Sequence, residues 1–589
     1  MKKYAKKPVK KLSENRFCFM PLLVLPLLVL PLAGFLAACS PESPASNEKR
    51  EKTLKLLYWQ APTILNPHLS NGFKDSEASR ITLEPLASYD KNGEMVPFLA
   101  AEVPTLENGL VAADGKSVIW KLKQGIEWSD GKPFTAADVV FTYEFLVNPE
   151  VASNTAAVYE SIENVEAIDD YTVKVNFKEP NPAWSLPFVG IEGMILPRHL
   201  YKDYNGANVR EAPYNLMPVG TGPYKVVEFK PGDTVVYEPN PYFREGDRIG
   251  FEKIILKGGG DSASAARAVL QTGDADYAYN LQVEPQVLQQ FEAAGKGKVV
   301  ANFGSQAERI LINQTDPNRM TADGERSSLQ FPHPFFTDKK VRQGFNLAID
   351  REAIATQLYG ATGKATTNYL VSPESYNSKN TQYEFNLEKA ASLLDEAGWK
   401  DSNGNGIRDK DGVEMKVLFQ TSINPVRQKT QQIIKQSLKS IGVEVELKSI
   451  DASTYFSGDP ANPDTVARFE SDLQMFTTGN QAPIPDNYMK GYLCDDIPQK
   501  SNNWSKQNYA RYCNPAYEAL WEKAEKELDP EKRRELFIQM NDLLVNEVVV
   551  MPIVHRAEAI AISNSIAGID LTPWDRNTWN IADWQRIER

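Results

Sequence analysis

Near the C-terminus, Val548 to Val554 form a near-continuous apolar run. A strand with one wet face alternates apolar and polar residues, so this run predicts a strand buried on both faces, with further layers packed against each. Helical material stands directly before it. Asp529-Pro530 supplies an N-cap and a first-turn proline for a helix carrying Leu536, Met540 and Leu543.

The same mixture of periods runs through the rest of the chain. Val118, Trp120 and Leu122 alternate with lysines as a half-buried strand, and Ser129 to Lys132 turns. Thr135 with Asp138 then forms a capping box for a helix through Val139, Tyr143 and Val147. Val173, Val175 and Phe177 mark another strand, and the turn Lys230-Pro231-Gly232-Asp233 joins Tyr224–Phe229 to Thr234–Tyr237 as a hairpin. Apolar spacing predicts helices through Val341–Ile349, through Leu387–Leu394 with a stop at Gly398, and through Ile434–Ile441 with a stop at Gly442. Val443, Val445 and Leu447 resume a strand. Central buried strands among helices predict α/β lobes, with ligands taken in crevices.

The N-terminus dictates where such a chain works. Six lysines and Arg16 precede an apolar stretch, Phe17 to Ala38, that ends in Leu36-Ala37-Ala38-Cys39. Pro21, Pro26 and Pro31 interrupt that stretch, which argues against a retained spanning helix and for a signal peptide over residues 1–38. Small residues before the cysteine resemble a bacterial lipobox, which would make Cys39 the lipidated first residue and residues 39–53 a flexible tether. The formal charge is −12, and losing seven basic residues and one acidic residue with positions 1–38 takes it to −18. Nucleic acid is thereby an expected non-partner. Of four cysteines only Cys494 and Cys513 remain past the tether, which suggests one disulfide, with two free thiols as the alternative.

Four ordered blocks carry a family resemblance. Val118 to Leu146, with its core Trp-x-Leu-Lys-x-Gly-Ile-x-Trp-Ser-Asp-Gly-Lys-Pro-Phe-Thr-Ala-x-Asp-Val, resembles the signature of the peptide and nickel class of bacterial extracellular solute-binding proteins, family 5. Pro218 to Tyr224 with Asn240 to Phe243, then Asp338 to Ile354, then Asn386 to Trp399 followed by Arg427 to Ile450, resemble further blocks in the expected order. The resemblance implies an α/β fold of the type II (cluster C) periplasmic binding protein kind: two lobes on a hinge plus an inserted domain. It places lobe I at 54–92 with 185–305 and 556–589, the inserted domain II at 93–184, and lobe III at 306–555. It implies a monomer that captures an oligopeptide or related solute and hands it to ABC permease subunits, with an ATPase acting through them. The location implied is the cell envelope, on the outer face of the cytoplasmic membrane. A sensory or chaperone-like lipoprotein on the same scaffold is the alternative.

No cofactor is expected, and no catalytic motif appears. His68, His199, His333 and His555 are scattered, and HExxH, GxSxG and P-loop patterns are missing. Asp401, Asn403, Asn405 and Asp409 have EF-hand-like spacing, but position twelve is Gly412, which favours a plain turn over calcium. By the resemblance, Leu65 and Asn66 lie in a ligand-lining loop, Thr221 and Gly222 approach the cleft from the same lobe, and Tyr58 and Trp59 are cleft aromatics. Arg309, Asn480 and Gln481 complete the expected ligand set. Gln481 stands where oligopeptide binders carry the aspartate that pairs with a free α-amino group, and glutamine brings no charge to a buried ammonium. Either Asp486 or Asp472 serves instead, or the ligand is capped, opine-like or a sugar oligomer.

Overall fold

A computed structural model describes residues 52–70 and 72–587. The signal segment, Cys39 and nearly all of the tether lie outside those residues. Eleven strands form one mixed sheet: β1 (Thr53–Tyr58), β2 (Tyr224–Lys230), β3 (Thr234–Pro239), β4 (Lys253–Gly258), β5 (Tyr277–Ala278), β6 (Gly297–Ile312), β7 (Gly363–Ala365), β8 (Lys416–Ser422), β9 (Glu444–Ile450), β10 (Leu473–Thr478) and β11 (Val550–Ser563). Their order is β9-β8-β10-β6-β11-β5-β1-β4-β3-β2, with β7 also paired to β11.

The apolar run at 548–554 becomes the first part of β11, the central strand. Val548 turns through φ 52°, so the strand starts two residues later than the run. It then continues nine residues past Val554, and all but two of its fourteen residues are buried. His555, Arg556 and Glu558 break the apolar pattern there, which hides the second half of the strand from a reading by hydrophobicity.

Antiparallel pairing of β6 with β11 runs from Gly297↔Ser563 to Leu311↔Val550. The register breaks between Phe303↔Ala557 and Ala307↔His555, so that Gly304, Ser305 and Gln306 face Arg556 alone. A bulge of this size bends its strand and re-aims side chains. It falls where the two lobes were expected to meet.

Local chemistry elsewhere follows the sequence. The Thr135–Asp138 capping box opens the helix Ala136–Val147, and the Asn424 side chain accepts from the Arg427 amide to cap Pro425–Ser440. Asp529 caps Pro530–Asn546. A separate antiparallel sheet, in the order Ser117–Lys121, Thr172–Phe177, Ile162–Asp169, shares a core with the first of these helices, built on Trp120, Trp128, Phe141 and Phe145. No helix of the described residues is long and apolar enough to cross a membrane.

One buried ion pair ties a helix to the sheet. Arg427 Nε and Nη2 donate to the two Glu308 carboxylate oxygens at 2.8 and 3.1 Å, with side-chain exposures of 6 % and 1 %. Burial pushes Glu308 up, but the facing guanidinium outweighs it and holds the carboxyl below the usual range. Removing one partner leaves the other buried without its counter-charge in the pair, with only hydroxyls of Ser422 and Thr477 bonded to it. Arg427→Met is expected to lower unfolding free energy by about 3–5 kcal/mol, and Arg427→Met with Glu308→Leu by less, as read from urea denaturation of both variants.

Candidate functional site

The β6 bulge builds the site. Gly304 through Gln306 line a cavity together with Asn302, Asn480, Gln481, Glu558, Thr572, Asp575, Arg576 and Phe73. Two glycines let other backbone come close: a Cβ on Gly479 would meet Ser305 O at 2.2 Å, and one on Gly304 would meet Pro573 Cβ at 2.9 Å. The Ser305 hydroxyl donates to Asn480 O at 2.6 Å, and His555 Nε2 lies 2.7 Å from Gly304 O. The bulge is therefore held by side-chain and backbone contacts to Asn480, just past β10, and to His555 inside β11.

Gln481 is not free. Its Nε2 donates to Gly479 O at 3.1 Å, and its Oε1 accepts from Arg576 Nη2 at 2.9 Å. Arg576 also donates through Nε to Ser76 Oγ and lies 4.3 Å over the Phe73 ring. Neither aspartate considered as a substitute lines the cavity. Asp472 is bound to His333 Nε2 and the Leu418 amide, and Asp486 is paired with Arg533.

Beneath the cavity lies a buried acidic and aromatic layer. Tyr58 stacks on Tyr279 at 4.7 Å, and its hydroxyl donates to Glu77, which also accepts from the Asn577 amide. Burial, with Glu558 close by, pushes the Glu77 carboxyl up. Tyr58 is fully buried, and Trp59 is half-buried with its indole N–H on Asn280 O.

Other expected ligand residues sit in structural roles. Leu65 is fully buried, and Asn66 caps the turn at Pro67–Leu69 while donating to Asn215 Oδ1. Around Thr221, a Cβ on Gly220 would stand 1.9 Å from Thr82 O and one on Gly222 2.8 Å from it, so the glycines of this block serve a close backbone approach. Thr221 itself is 1 % exposed. Arg309 is 4 % exposed and lies 4.5 Å over Phe476, 5.2 Å over Tyr369 and 5.9 Å over Tyr488; its Nε and Nη1 have no hydrogen-bond partner among the described residues.

The structure thus gathers Asn480 and Gln481 at one cavity, and leaves Tyr58 below it. Asp401, Asn403 and Asn405 spend side-chain oxygens on the amides of residues 404 to 407, and Asp409 accepts from Ser402. No group of three His, Cys, Asp or Glu suited to a metal occurs among the described residues. Cys494 and Cys513 are bonded to each other, with Cα atoms 4.7 Å apart. Glu558, Arg576 and the bulge were missed by sequence reading. The one signal available, for Glu558 and the bulge, was a set of polar residues inside otherwise buried strands; Arg576 lies in a loop after β11.

Contacts bridge the sequence segments on either side of the bulge. Asn487 Nδ2 donates to Glu192 at 2.9 Å, Lys490 pairs with Glu160, and Lys429 lies 2.5 Å from Glu284.

Residues 94–500 match the profile of the bacterial extracellular solute-binding proteins, family 5 (middle). The chain belongs to that family. The oligopeptide-binding protein AppA of Bacillus subtilis is 28% identical over 588 residues, spanning 95% of this chain and 98% of AppA. The glutathione-binding protein GsiB of Salmonella paratyphi A is 26% identical, over 87% and 90% of the two chains. The structure of B. subtilis AppA in complex with a nonapeptide superposes with a TM-score of 0.76 at 26% identity, covering 91% of this chain and 99% of AppA. An oligopeptide-binding protein of Thermus thermophilus complexed with a pentapeptide gives 0.77 at 22%, covering 91% and 97%. The fold is the type II periplasmic binding protein fold.

Burial pushes the Glu192 carboxyl up to about 7, so the folded protein keeps its proton where the unfolded chain has ionised. The stability tied to that proton is whole below about pH 4.5 and is lost as pH rises to about 7. Glu192→Gln is expected to flatten the decline of urea midpoints across that window; an unchanged slope would assign the decline to other groups.

Proposed function

We propose that this protein is the extracytoplasmic binding subunit of an ABC importer, capturing a peptide or peptide-like solute at the cavity beside the β6 bulge. The observation that carries this reading is the bulge itself. It interrupts the ladder where the segments 54–92, 185–305 and 556–589 pass into 306–555, and it lines the cavity at the same point. A hinge at that place closes the two lobes over a bound solute and shuts out water, and the contacts Asn487–Glu192, Lys490–Glu160 and Lys429–Glu284 fasten the closed form. Residues 93–184 ride on lobe I as the inserted domain.

Family membership supports solute binding, and the names of AppA and GsiB support peptides as the class of solute. Transport energy comes from the ATPase acting on the permease; the binding subunit contributes capture and a closed shape. Cys39 carries the lipid, and the Cys494–Cys513 disulfide closes a nineteen-residue separation in an oxidising compartment.

Thermal-shift and small-angle scattering measurements against a tripeptide library are expected to show stabilisation and a smaller radius of gyration on binding. A library that produces neither would end the reading. In a separate test, Cys39→Ser is expected to move the protein from the membrane pellet to the soluble fraction, whereas unchanged pelleting would remove the lipid anchor.

A further inference from the structure

Away from the cavity, Lys506 stands between two carboxylates from distant parts of the chain. Its Nζ lies 3.7 Å from Asp496 Oδ1, in its own segment, and 4.0 Å from Glu160 Oε1, in the segment 93–184. Both distances are too long for a hydrogen bond, so the ammonium is shared between the two by charge. The second Glu160 oxygen is held by Lys490, at the end of the helix Asp486–Lys490. Lys178, on the Glu160 side, spends its ammonium on the Glu160 carbonyl at 2.8 Å.

Asp496 is fixed within its own lobe. Its Oδ2 accepts from the Gln507 amide at 3.2 Å, its carbonyl accepts from the Asn508 amide at 2.8 Å, and the Cys494–Cys513 disulfide closes the same loop. The charged groups that face it are Lys506 and Lys490 of lobe III and Glu160 of the inserted domain, with Asp495 beside it in the chain and the Tyr509 ring close by. Burial pushes the Asp496 carboxyl up to about 6; the two lysines pull against this, and Glu160 pushes with it. The lysines share a lobe with Asp496 and face it whether the lobes are open or closed. Glu160 arrives only on closure.

Closure therefore sets a new negative charge against Asp496 and disfavours its ionised form. Linkage is reciprocal: a closed form that binds a proton more tightly is a form that the bound proton favours. We propose that Asp496, acting through Lys506, makes the grip of lobe III on the inserted domain acid-responsive, so that solute is held longer at acid than at neutral pH. This rests on the reading of two lobes closing over a solute, and it deepens that reading by naming what regulates the closure. A neutral Asp496 leaves Lys506 to Glu160 and ends the repulsion between the two carboxylates. An ionised Asp496 draws Lys506 back into its own lobe and repels Glu160. The added stability of the closed form is whole well below about pH 6 and is lost as pH rises through that value.

The test uses the purified full chain with an equimolar pool of tripeptides that carry uncharged side chains, and mass spectrometry counts what is retained after native gel filtration. Retention is read from about pH 5 to about pH 7, where the peptide termini keep their charges. The ratio of acid to neutral retention is expected to be about 2- to 5-fold larger for the unaltered protein than for Asp496→Asn or Glu160→Gln. Asp496→Asn is expected to hold the pool well at both ends of the range, and Glu160→Gln to hold it poorly at both. Glu192 titrates in the same window, but its share is common to all three proteins and drops out of the comparison. An unaltered protein with no acid preference, or a preference that persists undiminished in either variant, overturns the latch and leaves the cleft reading standing. A pool retained at no pH overturns the cleft reading and the latch with it. If Asp496→Asn does not fold, Glu160→Gln decides, because the Glu160 side chain is 48 % exposed.

Discussion

Hydrogen bonding between β6 and β11 is the constraint on which the rest of this protein depends. These two strands stand at the middle of the sheet, and each runs through both of its halves. The ladder shifts register at the bulge and again between Glu308 and Arg309, and it pairs regularly from Gly297 to Phe303 and from Arg309 to Leu311. At the bulge three residues face one, and their polar groups turn to Asn480, just past β10, and to His555. The bulge thus bends β6 and lines part of the cavity at the same point.

Charge is sorted around the same ladder. Glu308 and Arg309 are neighbours on β6 and point to opposite faces. Glu308 meets Arg427 in a bidentate pair, and Arg309 lies among aromatic rings. A few residues away Asn302 and Glu558 pair across the strands and open onto the cavity. Two central strands therefore carry a structural ion pair, a ring-covered cation and a cavity carboxylate within a short span.

Most of the fold was legible in the sequence because its signals are local. The capping box at Thr135, the cap at Asp529, the glycine stops at Gly398 and Gly442, and the hairpin at Lys230–Asp233 each report a backbone requirement within a few residues. The family blocks read in order, and the glycines of the Pro218–Tyr224 block admit a close approach to Thr82. The cavity was only half legible. Asn480 and Gln481 sit together as expected, but Glu558 lies 77 residues on and Arg576 further still, and only strand pairing brings them close. A carboxylate at Glu558 reads as a surface residue until β11 is seen to be the central strand.

The position of β11 in the sequence has a consequence for how the molecule comes into being. It follows every other strand of its sheet in the sequence, yet it occupies the centre of that sheet, and the residues after it contribute Thr572, Asp575 and Arg576 to the cavity. A chain still missing residues 550–587 has two half-sheets with no ladder between them. Folding into one body, and with it any ability to hold a solute, waits for residues 550–587.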